Sequence, residues 1–231
     1  MWKNRLDCNW PTSRASRREL AHDVHLQISS LLFEGIDQID LTGPFEVLSR
    51  IPNSTYRIYG KTARSVRDIR GLRLMPDAGL ADAPPLDVLH VPGGFGQEAL
   101  MEDAEVLGWI RQQAAGACSI FSVCTGALLC GAAGLLKERR ATTHWASLHL
   151  LPFFGAIPVN ERVVVDGSFV FAAGGVGIEV TKSVGLEPVG YNPKQQMAGE
   201  MFRGRLAKCV PPTNPQLLQI EIAQESDLIF D

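Results

Sequence analysis

The chain has 231 residues, 45% of them apolar and 20% charged, which is enough for one large domain or two small ones and excludes a mainly disordered chain. Its 22 basic and 25 acidic residues leave a net charge of −3, so no electrostatic footprint points to a nucleic acid or an anionic membrane. Five cysteines without a C-x-x-C pair argue against a disulfide scaffold and a zinc ribbon, and for a reducing, cytoplasmic setting.

Residues 1–23 carry no apolar core of a secretory signal and no periodic apolar pattern, and are expected to be a disordered N-terminal extension. Leu26 to Phe33 is a short apolar run closed by Glu34-Gly35, which predicts a buried strand. Thr42-Gly43-Pro44 then reads as a helix start, with Pro44 in the first turn. Strands are predicted over Thr55 to Lys61 and Leu86 to Val91, the second leading directly into Pro92-Gly93-Gly94.

Gln97 to Ala115 has helical spacing, and Ser119 to Val123 is a further buried strand followed by a small-residue helix over Thr125 to Leu136. The uncharged stretch Gln112 to Leu136 is long enough to span a membrane, but its Gln, Ser, Thr and Gly content fits strand, turn and helix instead. A short Ala141-Thr142-Thr143 run precedes His144. Asp166-Gly167 joins Arg162 to Val165 with Phe169 to Ala173 as a hairpin. Alternating short strands and helices predict an α/β fold, a mostly parallel sheet with helices on both faces. Ligands in such folds gather at the carboxyl ends of the strands.

Cys124 carries the sharpest chemical signal. In Ser122-Val123-Cys124-Thr125-Gly126 it stands where a strand turns sharply into a helix, the arrangement of a nucleophile elbow. The helix end is expected to lower the thiol pKa; the alternative is a buried structural cysteine, the fate read for Cys118 and Cys130. The Gly93 and Gly94 amides could form one half of an oxyanion hole, with the Thr125 N–H as the other half; alternatively the glycines only make a turn. Asp40 is either a helix cap or a carboxyl partner of the thiol, the two sharing one proton. His144 either touches or orients the nucleophile or is structural. His149, off the face of His144, makes no helical metal pair with it.

Together these segments resemble the ThiJ/PfpI family of the class-I glutamine-amidotransferase-like superfamily, over about Leu26 to Gly175. The markers are Asp40-Leu41-Thr42-Gly43-Pro44, Val91-Pro92-Gly93-Gly94, Ser122-Val123-Cys124-Thr125-Gly126 and Arg139-Arg140-Ala141-Thr142-Thr143-His144-Trp145. The resemblance is densest to the isonitrile-hydrating branch. It implies a flavodoxin-like sandwich over 24–208 with a tail at 209–231, usually a homodimer, with Cys124 as nucleophile, Asp40 as its carboxyl partner and an isonitrile as small-molecule substrate. It implies no metal and no organic cofactor.

The loop Gly174 to Glu179 is about two residues shorter than the family pattern, with Glu179 where Asp stands, and the helix expected next is interrupted by Gly185, Pro188 and Gly190. Such a loop would widen the pocket. An amidotransferase triad fails, because Trp145 and Ala146 follow His144 where an acid is needed two residues on. Another cysteine hydrolase or glyoxalase, or a thiol redox sensor, remains the alternative; with 25 residues after Leu206, no helix-turn-helix module is expected.

Overall fold

The computed structural model describes residues 25–174. The expectations for residues 1–23, for the Gly174 to Glu179 loop beyond its first residue and for the tail lie outside them. A seven-stranded sheet forms the centre, built from β1 (Leu26–Leu32), β2 (Ser54–Gly60), β5 (Ala78–Gly79), β6 (Val88–Val91), β7 (Ser119–Val123), β10 (Val163–Asp166) and β11 (Phe169–Ala172). Their spatial order is β10-β11-β7-β6-β1-β2-β5, and every pair is parallel except the β10–β11 hairpin. Two short pairs stand apart: β3 (Val66–Arg67) with β4 (Arg73–Leu74), and β8 (Arg140–Ala141) with β9 (Ile157–Pro158).

Four α-helices connect the strands among the described residues: α1 (Gln38–Leu48), α2 (Gln97–Leu100), α3 (Ala104–Gly116) and α4 (Gly126–Ala132). Tyr56 and Tyr59, three apart on β2, face opposite sides of the sheet because side chains alternate along a strand. Tyr56 meets Phe45 of α1 edge-on, with ring centroids 5.0 Å apart, while Tyr59 lies 6.5 Å from Trp109 of α3. Helices therefore cover both faces. From β1 the chain winds outward through β2 and β5, and from β6 it winds the other way through β7 and β11. The strand order is flavodoxin-like, with its reversal point between β1 and β6.

On the α3 and α4 side, Leu31, Leu89, Val91, Ile120 and Phe171 are all at most 1% exposed and pack with Ile110, Leu128 and Leu129. Burying each such side chain contributes about 1.5–3 kcal/mol, so this layer dominates the stability of the fold. The α1 side is partly polar: Ser30 Oγ is hydrogen-bonded to both Tyr56 Oη and His90 Nδ1, the latter at 2.5 Å. Burial drives the His90 imidazole down to about 3, so it is neutral.

Three predicted boundaries move. α1 begins four residues before Thr42, so Pro44 lies inside it rather than in its first turn. Having no N–H, Pro44 cannot serve the Asp40 carbonyl four residues back. The helix predicted over Gln97 to Ala115 is two helices, because Asp103 caps a new one by accepting from the Glu105 and Val106 amides at 3.1 and 3.3 Å. α4 stops at Ala132, and Gly134 adopts a positive φ just beyond it.

Candidate active site

The site assembles at the reversal point from three segments: the start of α1, the loop after β6 and the turn after β7. Cys124 has φ +55°, a left-handed conformation that costs a non-glycine residue on the order of 1 kcal/mol or more. The surroundings impose it. The Cys124 amide donates to the Ala172 carbonyl at 2.9 Å, and the Thr143 hydroxyl donates to the Cys124 carbonyl at 2.7 Å. Behind the turn, a Cβ on Gly126 would lie 2.1 Å from the Val91 carbonyl oxygen, so only glycine lets β7 pass into α4 this close to β6.

Gly93 is where the carboxyl and the thiol meet. A Cβ on Gly93 would stand 2.9 Å from Asp40 Oδ2, 2.8 Å from Cys124 Cβ and 2.7 Å from the Thr125 nitrogen. From the other side, a Cβ on Gly174 would stand 3.1 Å from Cys124 Sγ. Asp40 is 5% exposed, and its Oδ2 has no hydrogen-bond partner. Burial, and then the charge of Asp37, push its carboxyl up to about 7; the Cys124 thiol and the Gly93 amide pull the other way and are outweighed.

The expected lowering of the Cys124 thiol is not found. Burial first and the Asp40 charge second raise it well above its ordinary value, and the Thr125 amide offsets only part of this. The end of a seven-residue helix is outweighed by the burial of the thiol together with the charge of the neighbouring carboxyl. The two groups therefore act as one coupled pair that holds a single negative charge between pH 7 and the upper limb of its titration.

The other sequence candidates fall around this pair. The Gly94 amide donates to Thr125 Oγ1 at 3.0 Å and the Gly93 amide serves Asp40, so both loop amides expected to face a substrate oxygen are engaged within the protein. The Thr125 amide is directed at the thiol. Asp40 does not cap α1: it lies in the first turn, while Asp37 occupies the capping position without a side-chain cap bond. His144 is half-buried beside Trp145, with ring centroids 5.4 Å apart. Burial lowers its pKa and Asp37 pulls it back up. The elbow's hydrogen bond comes from its neighbour Thr143.

Asp37 and Thr143 were not legible as site residues, whereas Gly174, against Cys124, opens the loop expected to border the pocket. Only the repeated acid in Asp37-Gln38-Ile39-Asp40 hinted at the first. Cys130 is a free thiol buried in α4, as expected of a structural cysteine. No group of three or more His, Cys, Asp or Glu that could hold a metal is present among the described residues. Nor is any described helix long and apolar enough to cross a membrane.

Comparison with known proteins gives a consistent placement. Residues 27–184 match the model of the DJ-1/PfpI family. The chain is 48% identical over 172 residues to the isonitrile hydratase of Pseudomonas putida, covering 74% of this chain and 75% of that one. It is 25% identical over 182 residues to the helix-turn-helix-type transcriptional regulator CdhR of Pseudomonas aeruginosa, covering 77% of this chain and 53% of the regulator. The crystal structure of a ThiJ/PfpI family protein from Pseudomonas syringae superimposes with a TM-score of 0.64 at 34% identity, over 83% of this chain and 78% of that one.

Proposed function

The chain belongs to the DJ-1/PfpI family, and from that premise we propose that it hydrates isonitriles to N-substituted formamides, with Cys124 as nucleophile and Asp40 as the proton-handling group. The observation that carries this reading is the coupled pair: one thiol and one buried carboxyl around Gly93, with the carboxyl pushed up to about 7. Similarity to the Pseudomonas putida hydratase supports the substrate class.

An isonitrile carbon takes both a nucleophile and a proton. In the singly charged pair the proton can sit on Asp40 and the charge on sulfur. The thiolate adds to the terminal carbon, and Asp40 gives that carbon its proton, forming a thioimidate R–N=CH–S–Cys124. The Asp40 carboxylate then takes a proton from water as the oxygen attacks the same carbon, and passes it to nitrogen. The adduct R–NH–CH(OH)–S–Cys124 collapses: the C–S bond breaks, the hydroxyl proton returns to Asp40, and R–NH–CHO leaves. Pair and charge are restored. A reducing compartment, the cytoplasm, suits the free thiol, and the active form is taken to be a homodimer; light scattering that gives a stable 25.2 kDa species at micromolar concentration excludes the dimer.

The test is formamide production from a panel of isonitriles. Turnover that disappears in Cys124→Ser is the expected result. No formamide from any isonitrile, with a thiol that is oxidised rapidly by dilute peroxide, rejects the hydratase and favours a redox sensor. No formamide, with turnover of ester, amide or glyoxal substrates, favours another cysteine-dependent member of the superfamily.

A further inference from the structure

The hairpin of β3 and β4 carries charge that the thiol–carboxyl site does not use. From Lys61 to Arg73 a cation stands at every third position: Lys61, Arg64, Arg67, Arg70 and Arg73. Lys61 is paired with Asp103 and Glu105 at the start of α3. The four arginines are exposed, and none forms an ion pair with an acid among the described residues.

Two of them stand directly opposite each other. In the antiparallel register Arg67 pairs with Arg73 and Val66 with Leu74, so the two pairs face opposite sides of the ladder. Val66 and Leu74 pack against the core, which turns both arginines outward. Exposure follows this alternation: Ser65, Arg67, Ile69, Arg73 and Met75 are exposed, whereas Val66, Asp68, Leu74 and Pro76 are half-buried or buried. The outer face is thus an arginine pair flanked by two apolar side chains, Ile69 at 37% and Met75 at 72% exposure. Like charges directly opposite in a ladder, with Cβ atoms about 4.5–5.5 Å apart, destabilise it.

The backbone holds that pair in place despite the repulsion. Asp68, the one acid between Lys61 and Met75, accepts at Oδ1 from the Arg70 and Leu72 amides at 2.8 Å each, which fixes the turn. The Gly35 amide donates to the Arg67 carbonyl at 2.8 Å, and the Arg67 amide donates to Glu34 Oε2 at 3.0 Å. The Ile69 amide donates to the Ile36 carbonyl at 3.0 Å. A hairpin this short is marginal by itself, and these bonds fasten it to the segment that follows β1. The Arg67 guanidinium makes one long contact, from Nη1 to the Gly71 carbonyl at 3.5 Å, which leaves its other donors available.

Two guanidiniums presented side by side match a doubly charged oxyanion, since each offers it parallel N–H donors. A carboxylate carries a single charge, whereas a phosphate monoester carries nearly two at pH 7. We propose that Arg67 and Arg73 form a binding site for a phosphate monoester, with the phosphate between the guanidiniums and Ile69 and Met75 flanking its organic part. The proposal is independent of the hydratase reading.

Titration of the full chain with phenyl phosphate and with inorganic phosphate, by calorimetry at matched ionic strength, tests this. Phenyl phosphate is expected to bind, and severalfold more tightly than inorganic phosphate. Arg67→Gln and Arg73→Gln should each weaken it about tenfold, while Arg64→Gln, outside the register pair, should change it less than about twofold. Without ligand, Arg67→Gln and Arg73→Gln should melt at the wild-type temperature or above it, because repulsion across the ladder is relieved. Arginines that only supported the hairpin would give lower melting temperatures on replacement. Phenyl phosphate should raise the melting temperature of the wild type and leave that of the double variant unchanged. No binding of phenyl phosphate at millimolar concentration overturns the proposal. So does equal loss in all three variants, which marks a diffuse basic field, or affinity no better than that of inorganic phosphate. Lower melting temperatures in both pair variants with binding unchanged overturn it as well.

Discussion

The Thr143 hydroxyl donates to the Cys124 carbonyl at 2.7 Å, tying the segment after β8 to the strained elbow after β7. Thr143→Val keeps the shape and removes the donor, leaving that carbonyl without this partner. The expected cost is about 1–2 kcal/mol of stability by thermal denaturation. A fall of roughly tenfold in kcat should accompany it, because a misplaced nucleophile loses near-attack geometry.

Asp40 handles protons in the proposed mechanism, and the capping position of α1 belongs to Asp37. Asp40→Asn retains size and polarity and should lose on the order of a hundredfold or more in kcat while remaining folded by circular dichroism. Cys124→Ser should abolish turnover, since a hydroxyl ionises far less readily than a thiol. Near-normal hydration by Asp40→Asn would sink the mechanism even with Cys124 essential.

The pair also sets the pH profile. Its first proton leaves as pH rises through about 7, which creates the singly charged form that can place the charge on sulfur. Hydration, measured as kcat/KM, should therefore rise through about pH 7 and fall only far to the alkaline side, where the second proton is lost, whereas the alkylation rate of Cys124 should rise through about pH 7 and rise again at that second step, which completes the thiolate.

Stability runs in the opposite direction for the same group. With its folded pKa raised from 3.8 to about 7, Asp40 contributes fully below pH 3.8, and that contribution is lost as pH rises through 7. Asp40→Asn should thus be more stable than wild type at pH 8, by on the order of 2 kcal/mol, and should lose that advantage at pH 4. Denaturant midpoints at the two pH values measure this.

Ser30 is the only side chain among the described residues that bonds both Tyr56 and His90. Ser30→Ala leaves the buried imidazole without either nitrogen satisfied, because His90 Nε2 already has no partner. A loss of about 1–3 kcal/mol is expected in chemical denaturation, with Cys124 alkylation little changed.

Much of this architecture can be read from the residues alone, for identifiable reasons. Ser119 to Val123 is apolar, short and followed by Cys-Thr-Gly, so strand and elbow both announce themselves, and Asp166-Gly167 marks its hairpin. The start of α1 was hidden because that helix buries only Asp40 and Leu41 and leaves Ile39 and Val47 exposed, so no apolar stripe marks it. Asp103 reads locally as a polar residue on a helix, and only its bonds to two amides show that one helix ends and another begins there. The rise of the thiol pKa comes from burial first and the Asp40 charge second, facts of tertiary contact that no spacing between residues 40 and 124 encodes.

The two halves of the thiol–carboxyl pair come from opposite sides of the sheet's reversal point, Asp40 from the winding that begins at β1 and Cys124 from the one that begins at β6. Pairing of β1 with β6 brings those windings together, and the Asp37 amide on the Gly93 carbonyl fastens them at the site. Until that seam closes, the thiol and the carboxyl are ordinary groups on separate pieces of chain, each titrating near its usual value. The proposed chemistry is thus a property of the central seam, and the reactivity of a single cysteine reports whether β1 and β6 have paired.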